Sequence, residues 1–209
     1  MRNKQMGIVL IIIGLAAVAA GIYLFVNDKK VEESPTSSVE TLPLSVQNTE
    51  IDQKTENEKK GLDFEKWVIS KFPEKYYKLL DWKGDKIVEG RYPESSRYPD
   101  LEFELQLSDG KISEKFSVEC KWRSSFYQGA VNWASQEKIA IYNKFSEERN
   151  QEVFLVLGVG GEPSAPNSVY VIPLKSAQQS RLKEADLEQY KRNDPSKEFF
   201  YHAKSNTLK

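Results

Sequence analysis

At 209 residues and 39% hydrophobic, with four Trp, ten Tyr and ten Phe, the chain has enough apolar mass for one packed domain plus appendages. Thirty basic residues against 31 acidic ones leave a formal net charge of -1, which excludes a strongly cationic body that would draw in nucleic acid through bulk charge. One cysteine excludes an internal disulfide, and a single histidine, His202 near the C-terminus, argues against a zinc site built on several histidines or a Ser-His-Asp triad.

In chain order, the first segment is Met6 to Val26, MGIVLIIIGLAAVAAGIYLFV, which carries no charge. At about 1.5 Å per residue it spans the roughly 30 Å hydrocarbon layer, so residues 1–26 read as a single transmembrane anchor. A cleaved signal peptide is the competing reading, since Arg2 and Lys4 form a basic leader and Ala17-Val18-Ala19 offers small residues for processing. The apolar run continues through Phe25-Val26, where a mature secreted chain would turn polar, and this favours the anchor. Residues 27–60 are polar, with two prolines and no sustained apolar period, which predicts a flexible linker. The folded domain is expected over residues 61–209, where acidic and basic residues are equal in number.

GLDFEKWVISKF, from Gly61, has the spacing of a helix with one apolar face, stopped by Pro73. After the aromatic cluster Tyr76-Tyr77, the Gly-, Pro- and Ser-rich stretch from Asp81 to Pro99 reads as a loop, with one short strand at Lys86 to Glu89. Leu101 to Leu107 and Lys115 to Trp122 both alternate apolar and polar residues about an Asp109-Gly110 turn, which predicts a β-hairpin. Val131 to Phe145 has helical spacing, Glu152 to Val159 and Val169 to Leu174 read as buried strands, and Ser176 to Tyr190 reads as a charged surface helix. Phe199 to Ala203 completes the set as a short last strand. The order implies an α/β fold, a mixed α+β sheet with helices packed on it. The loop Gly158-Val159-Gly160-Gly161 lacks the Lys-Ser/Thr of a phosphate-binding P-loop and reads as a turn.

The chemistry concentrates on the second hairpin strand. Side chains alternate along a strand, so Glu119 and Lys121 share a face while Cys120 turns to the other and reads as a buried small hydrophobe. Pro99-Asp100 stands at the mouth of the first strand, where the hairpin offers Asp100 a route to Glu119, with the register left open. Two converging carboxylates can bind a hard divalent cation, and an adjacent ammonium can orient a water or offset charge on a phosphoryl group. The plain alternative is a same-face or cross-strand ion pair on an exposed hairpin. Asp63 and Asp85 compete for the first carboxylate, but a helix first turn and a Gly-Asp turn explain them. Lys121-Trp122-Arg123 mixes cations and an aromatic ring; Trp122 and Arg123 read either as contacts to nucleic acid or as core plus solvated surface.

Taken together, Glu65 in GLDFEKWV, Pro99-Asp100 entering a strand, Glu119-Cys120-Lys121 on the next strand, and Gln136 and Tyr142 in SQEKIAIY resemble the PD-(D/E)XK nuclease superfamily over roughly residues 61–174. The resemblance implies a restriction-endonuclease-like αβββαβ core and metal-dependent cleavage of nucleic acid, with DNA as the expected substrate. It implies Asp100, Glu119 and Lys121 as the catalytic set, and Glu65 and Gln136 as accessory positions. It also implies a Mg²⁺ or Mn²⁺ cofactor, for which Asp100, Glu119 and the Cys120 backbone carbonyl form a reasonable ligand set. The alternative is a catalytically inactive, membrane-anchored module that keeps the fold for binding nucleic acid or protein. Arg2 and Lys4 before the anchor and Lys29 and Lys30 after it nearly tie under the positive-inside rule, and nucleic-acid chemistry favours a cytoplasmic domain.

Overall fold

The computed structural model describes residues 44–83, 97–107 and 112–209. The expected membrane segment, residues 27–43 of the expected linker, the strand at 86–89, Asp85 and the turn at 108–111 lie outside them. Among the described residues no helix is long and apolar enough to cross a membrane.

The linker expectation is corrected from Leu44 onward, because helix α1 runs over Leu44–Ser70. Its outer half lacks an apolar stripe and therefore resembles linker in composition, yet it contains no Pro or Gly before Gly61. Ion pairs one turn apart, Lys60 to Glu56 at 2.7 Å and Lys59 to Asp63 at 2.9 Å, link successive turns. Among the described side chains of α1, those that are buried, Phe64 and Val68, lie in its inner half.

Strand β1 (Tyr77–Trp82) opens the sheet where the sequence showed only an aromatic cluster. It pairs antiparallel with β2 (Leu101–Leu107), and β2 pairs antiparallel with β3 (Ile112–Arg123), the expected hairpin. Helix α2 (Gln136–Arg149) then carries the chain to β5 (Glu152–Glu162), which lies parallel to β3, and β6 (Ala165–Pro173) closes the sheet antiparallel to β5. The five-stranded order is β1-β2-β3-β5-β6. With the three-residue strand Ala130–Asn132 set aside, which lies outside this sheet, the elements α1-β1-β2-β3-α2-β5 follow the expected αβββαβ order, on a mixed and mostly antiparallel sheet. The glycine stretch expected as a turn belongs instead to the end of β5, with Gly160 and Gly161 at φ +71° and +64° just before the chain reverses.

Two helix expectations change. Val131 does not begin α2: Val131 and Trp133 are buried on either side of exposed Asn132, a strand-like alternation. Residues Ala130–Asn132 form β4, and α2 starts only after Ser135, whose hydroxyl caps it by accepting from the Lys138 N–H at 3.2 Å. Ser176 to Tyr190 is likewise not one helix. Leu182 is buried between exposed Arg181 and Lys183, so these residues form β7 against β4, followed by the four-residue α3 (Glu184–Leu187) and a 3₁₀ turn at Glu188–Tyr190. The expected last strand is the short β8 (Tyr201–His202), paired with β9 (Thr207–Leu208).

The sheet separates two apolar clusters. On one face Phe103, Phe116, Val118, Cys120 and Phe154 pack with Phe64 and Val68 of α1. On the other, Leu155, Leu157 and Ile172 pack with Ile139, Tyr142 and Phe145 of α2. Alternation on β3 therefore sends Cys120 toward the α1 cluster and Glu119 toward the α2 side.

Candidate active site

The site forms where β3 runs on past the start of β2. Leu101 pairs with Val118, and carrying that antiparallel register one residue further sets Asp100 opposite Glu119. Opposed residues have Cβ atoms about 4.5–5.5 Å apart and face the same side. Having lost its strand partner, the Cys120 N–H donates instead to Asp100 Oδ2 at 2.8 Å. The N–H and C=O of one strand residue point the same way, so the Cys120 carbonyl also faces this vacated edge.

Glu119 is fully buried and touches two ammonium groups, Lys121 Nζ at 2.6 Å and Lys138 Nζ at 3.7 Å from Oε1. Burial pushes its carboxyl up, but the charges of Lys121 and Lys138, the hydrogen bond from Lys121 and the Tyr142 hydroxyl outweigh that and hold it below the ordinary carboxylate range. Its other oxygen, Oε2, is buried with no hydrogen bond of good geometry. Asp100 shows the opposite balance. Desolvation by its dense surroundings comes first, the Glu119 charge adds to it, and Lys121 and the Cys120 N–H do not compensate, so its carboxyl stands well above the usual range. Burial lowers the Lys121 ammonium, yet Glu119 and Asp100 together raise it above the ordinary lysine range and keep it protonated.

These residues open into a cleft of about 1270 Å³ whose lining includes Glu65, Trp82, Asp100, Lys121, Trp122 and Lys138, with the outer half of α1 as one wall. Glu65 reaches the cleft from α1, and its Oε2 accepts from Trp82 Nε1 at 2.6 Å. Gln136 does not join the site; its side-chain amide donates to the Gln178 carbonyl at 3.4 Å. Lys138, two residues further along α2, is the group that reaches Glu119, and the sequence reading missed it. The signal available was its spacing of four from Tyr142, which puts both on one helix face, with the ammonium 5.6 Å from the ring centre.

Arg123 is turned to structural work: Nε and Nη2 donate to the Asn132 carbonyl at 3.1 and 2.8 Å, and Nη1 donates to the Trp122 carbonyl at 2.8 Å. Trp122 packs against the α1 cluster while also lining the cleft. The Cys120 thiol is buried, and burial first, then the Asp100, Glu65 and Glu119 charges, push its pKa well up, so it is a poor nucleophile. Asp63 pairs with Lys59 on the surface of α1.

Among the described residues no three His, Cys, Asp or Glu side chains make a ready metal cage. The donor set on offer is two opposed carboxylates and a main-chain carbonyl. This sparse, all-oxygen set suits Mg²⁺, which keeps waters and takes substrate phosphate oxygens as further ligands. Desolvation and then the Glu119 charge raise Asp100, and a cation between the two carboxylates would relieve that second contribution.

No family model matches the chain, and no curated protein matches it. Among solved structures, it is similar to Hjc, a Holliday junction resolvase from the archaeal hyperthermophile Archaeoglobus fulgidus, at 14% sequence identity and a TM-score of 0.42, over 62% of this chain and 88% of that one.

Proposed function

We propose that this protein is a divalent-metal-dependent nuclease of the PD-(D/E)XK type that cleaves phosphodiester bonds in DNA, held to a membrane by residues 6–26 with its folded domain in the cytoplasm. The observation that carries the reading is the Asp100 carboxylate accepting from the Cys120 N–H at 2.8 Å, next to Glu119, whose Oε1 lies 2.6 Å from the Lys121 ammonium. Asp100, Glu119 and the Cys120 carbonyl would hold Mg²⁺ or Mn²⁺. When bound, such an ion supplies Lewis-acid polarisation of the phosphate and activation of water.

The protein's own groups divide the remaining work. Lys121 is held protonated by its two carboxylate neighbours, so its role is to stabilise negative charge gathering on the phosphoryl oxygens and to orient the attacking water, not to remove a proton. Lys138 offsets charge at Glu119 from the opposite helix. Glu65, fixed by Trp82, presents a further carboxylate to the cleft.

Full-length protein is expected to nick or linearise plasmid DNA with Mg²⁺ or Mn²⁺ and to stop when EDTA is added. Lys121→Ala and Asp100→Asn should each reduce cleavage by about 100-fold or more. Cleavage that persists in EDTA or in both variants overturns the assignment. No calorimetric Mg²⁺ binding by wild type, with DNA binding retained in Glu119→Gln, would instead identify a non-catalytic module.

A further inference from the structure

Past Arg123 the chain leaves the sheet and reverses at Gln128-Gly129 before entering β4. The Tyr127 N–H donates to the Ala130 carbonyl at 2.9 Å and the Ala130 N–H donates back to Tyr127 at 3.2 Å, closing a two-residue hairpin. Both central residues have positive φ, +51° at Gln128 and +64° at Gly129, the pattern of a type I′ turn. Glutamine adopts this region only at a cost, so the surroundings must hold it there. They do: Arg181 Nη2 donates to the Tyr127 and Gln128 carbonyls at 3.2 and 3.4 Å, and the Glu184 N–H donates to the Gly129 carbonyl at 2.9 Å. Phe126 packs edge-on against Tyr170, 5.9 Å between ring centres, and ties the entry to the core.

What this braced turn presents is the ring of Tyr127, 74% exposed, against 47% for Phe200, the next most exposed large apolar residue among those described. The turn lies a short way along the chain from the cleft, whose lining extends to Ser124. Beside it, Arg181 and Lys183 occupy alternate, exposed positions of β7, and among the described residues neither pairs with a carboxylate. A lone ring is far too small for a stable protein interface, which needs on the order of 1,000 Å². A rigid aromatic face beside cations that no carboxylate neutralises, one of them Arg181 with only its Nη2 spent on the turn, is, however, the combination that binds unpaired nucleobases and their phosphates.

We propose that Tyr127 is a stacking platform for an unpaired base, with Arg181 and Lys183 beside it for the phosphate backbone, so that the favoured substrate carries a single-stranded segment next to the cleft. This rests on the nuclease reading and sharpens its substrate class. A blunt duplex keeps its bases stacked on one another and offers no free face to the ring.

The test uses full-length protein in EDTA, with fluorescence anisotropy on a labelled oligothymidylate and on a blunt duplex of equal length. Tyr127→Ala should weaken oligothymidylate binding by about tenfold or more while leaving duplex affinity and the thermal midpoint at wild-type values. Tyr127→Phe, which keeps the ring, should bind like wild type. Unchanged oligothymidylate affinity in Tyr127→Ala, an equal loss on the duplex, or a loss in Tyr127→Phe as large as in Tyr127→Ala overturns the platform and leaves the nuclease reading standing. Wild-type protein that binds neither nucleic acid overturns both.

Discussion

Asp100 and Glu119 face each other, yet their charges act on the fold with opposite sign. Desolvation and then the Glu119 charge raise the Asp100 carboxyl, so at intermediate pH the folded chain favours a proton that the unfolded chain has released. This carboxyl therefore opposes folding increasingly as pH rises from the ordinary aspartate range through its raised value. Glu119 is held below its ordinary range; the stability it contributes is present above the unfolded glutamate value and is lost as pH falls through the lowered one. Near neutral pH in EDTA, Asp100→Asn is expected to stabilise the fold by about 1 kcal/mol, or a few degrees in Tm, whereas in Mg²⁺ the same variant should cleave about 100-fold or more slowly. Glu119→Gln should destabilise it by about 3 kcal/mol, the low end of the buried-pair range because Lys121 retains 23% exposure. Urea or thermal unfolding measures both, and equal signs for the two variants would contradict this account. The shared face of Glu119 and Lys121 was legible from strand alternation alone; the opposite charge balance was not, because it depends on Lys138 and on the neighbours that desolvate each carboxylate.

At the scale of elements, the docking of α1 on β5 sets one wall of the cleft. Phe64, 1% exposed, lies over Gly158, where an added Cβ would stand 2.5 Å from the ring's Cε2. The absence of a side chain at 158 is what lets the helix approach the sheet and carry Glu65 to the cleft. Gly158→Ala is expected to cost about 1–3 kcal/mol through overpacking. Phe64→Leu alone should cost about 1 kcal/mol, and the double variant should be more stable than the sum predicts because leucine lacks the clashing ring atoms. Strict additivity in denaturant unfolding would count against this packing. The inner half of α1 was legible from its apolar spacing. Its outer half was not, since its polar composition matches a linker as well as a helix; nor was the β4–β7 pair that replaces helix at both Val131 and Arg181, since those short segments take their conformation from partners distant in sequence.

For the whole molecule, the equal acidic and basic content of residues 61–209 means that bulk charge does not concentrate nucleic acid at the domain. In the proposed function, local cations at the cleft and beside Tyr127 take that role, and the proposed anchor restricts where they act. Full-length protein should sediment with membranes, resist extraction by high salt and be released by detergent, whereas deletion of residues 2–26 should free it. A salt-extractable chain, or a mature N-terminus just beyond Ala19 by mass spectrometry, would replace the anchor with a peripheral association or a cleaved leader. By itself the sequence determined the hairpin strands, the apolar strand β5, and the side of the sheet to which Glu119, Cys120 and Lys121 each belong, because a period of two is a property of the local backbone. Only the tertiary structure decided that Asp100 stands opposite Glu119, that Lys138 and not Gln136 completes the cluster, and that Arg123 is spent on backbone carbonyls. Register, charge state and hydrogen-bond partnership are set by groups that meet only when strands and helices far apart in the chain pack together.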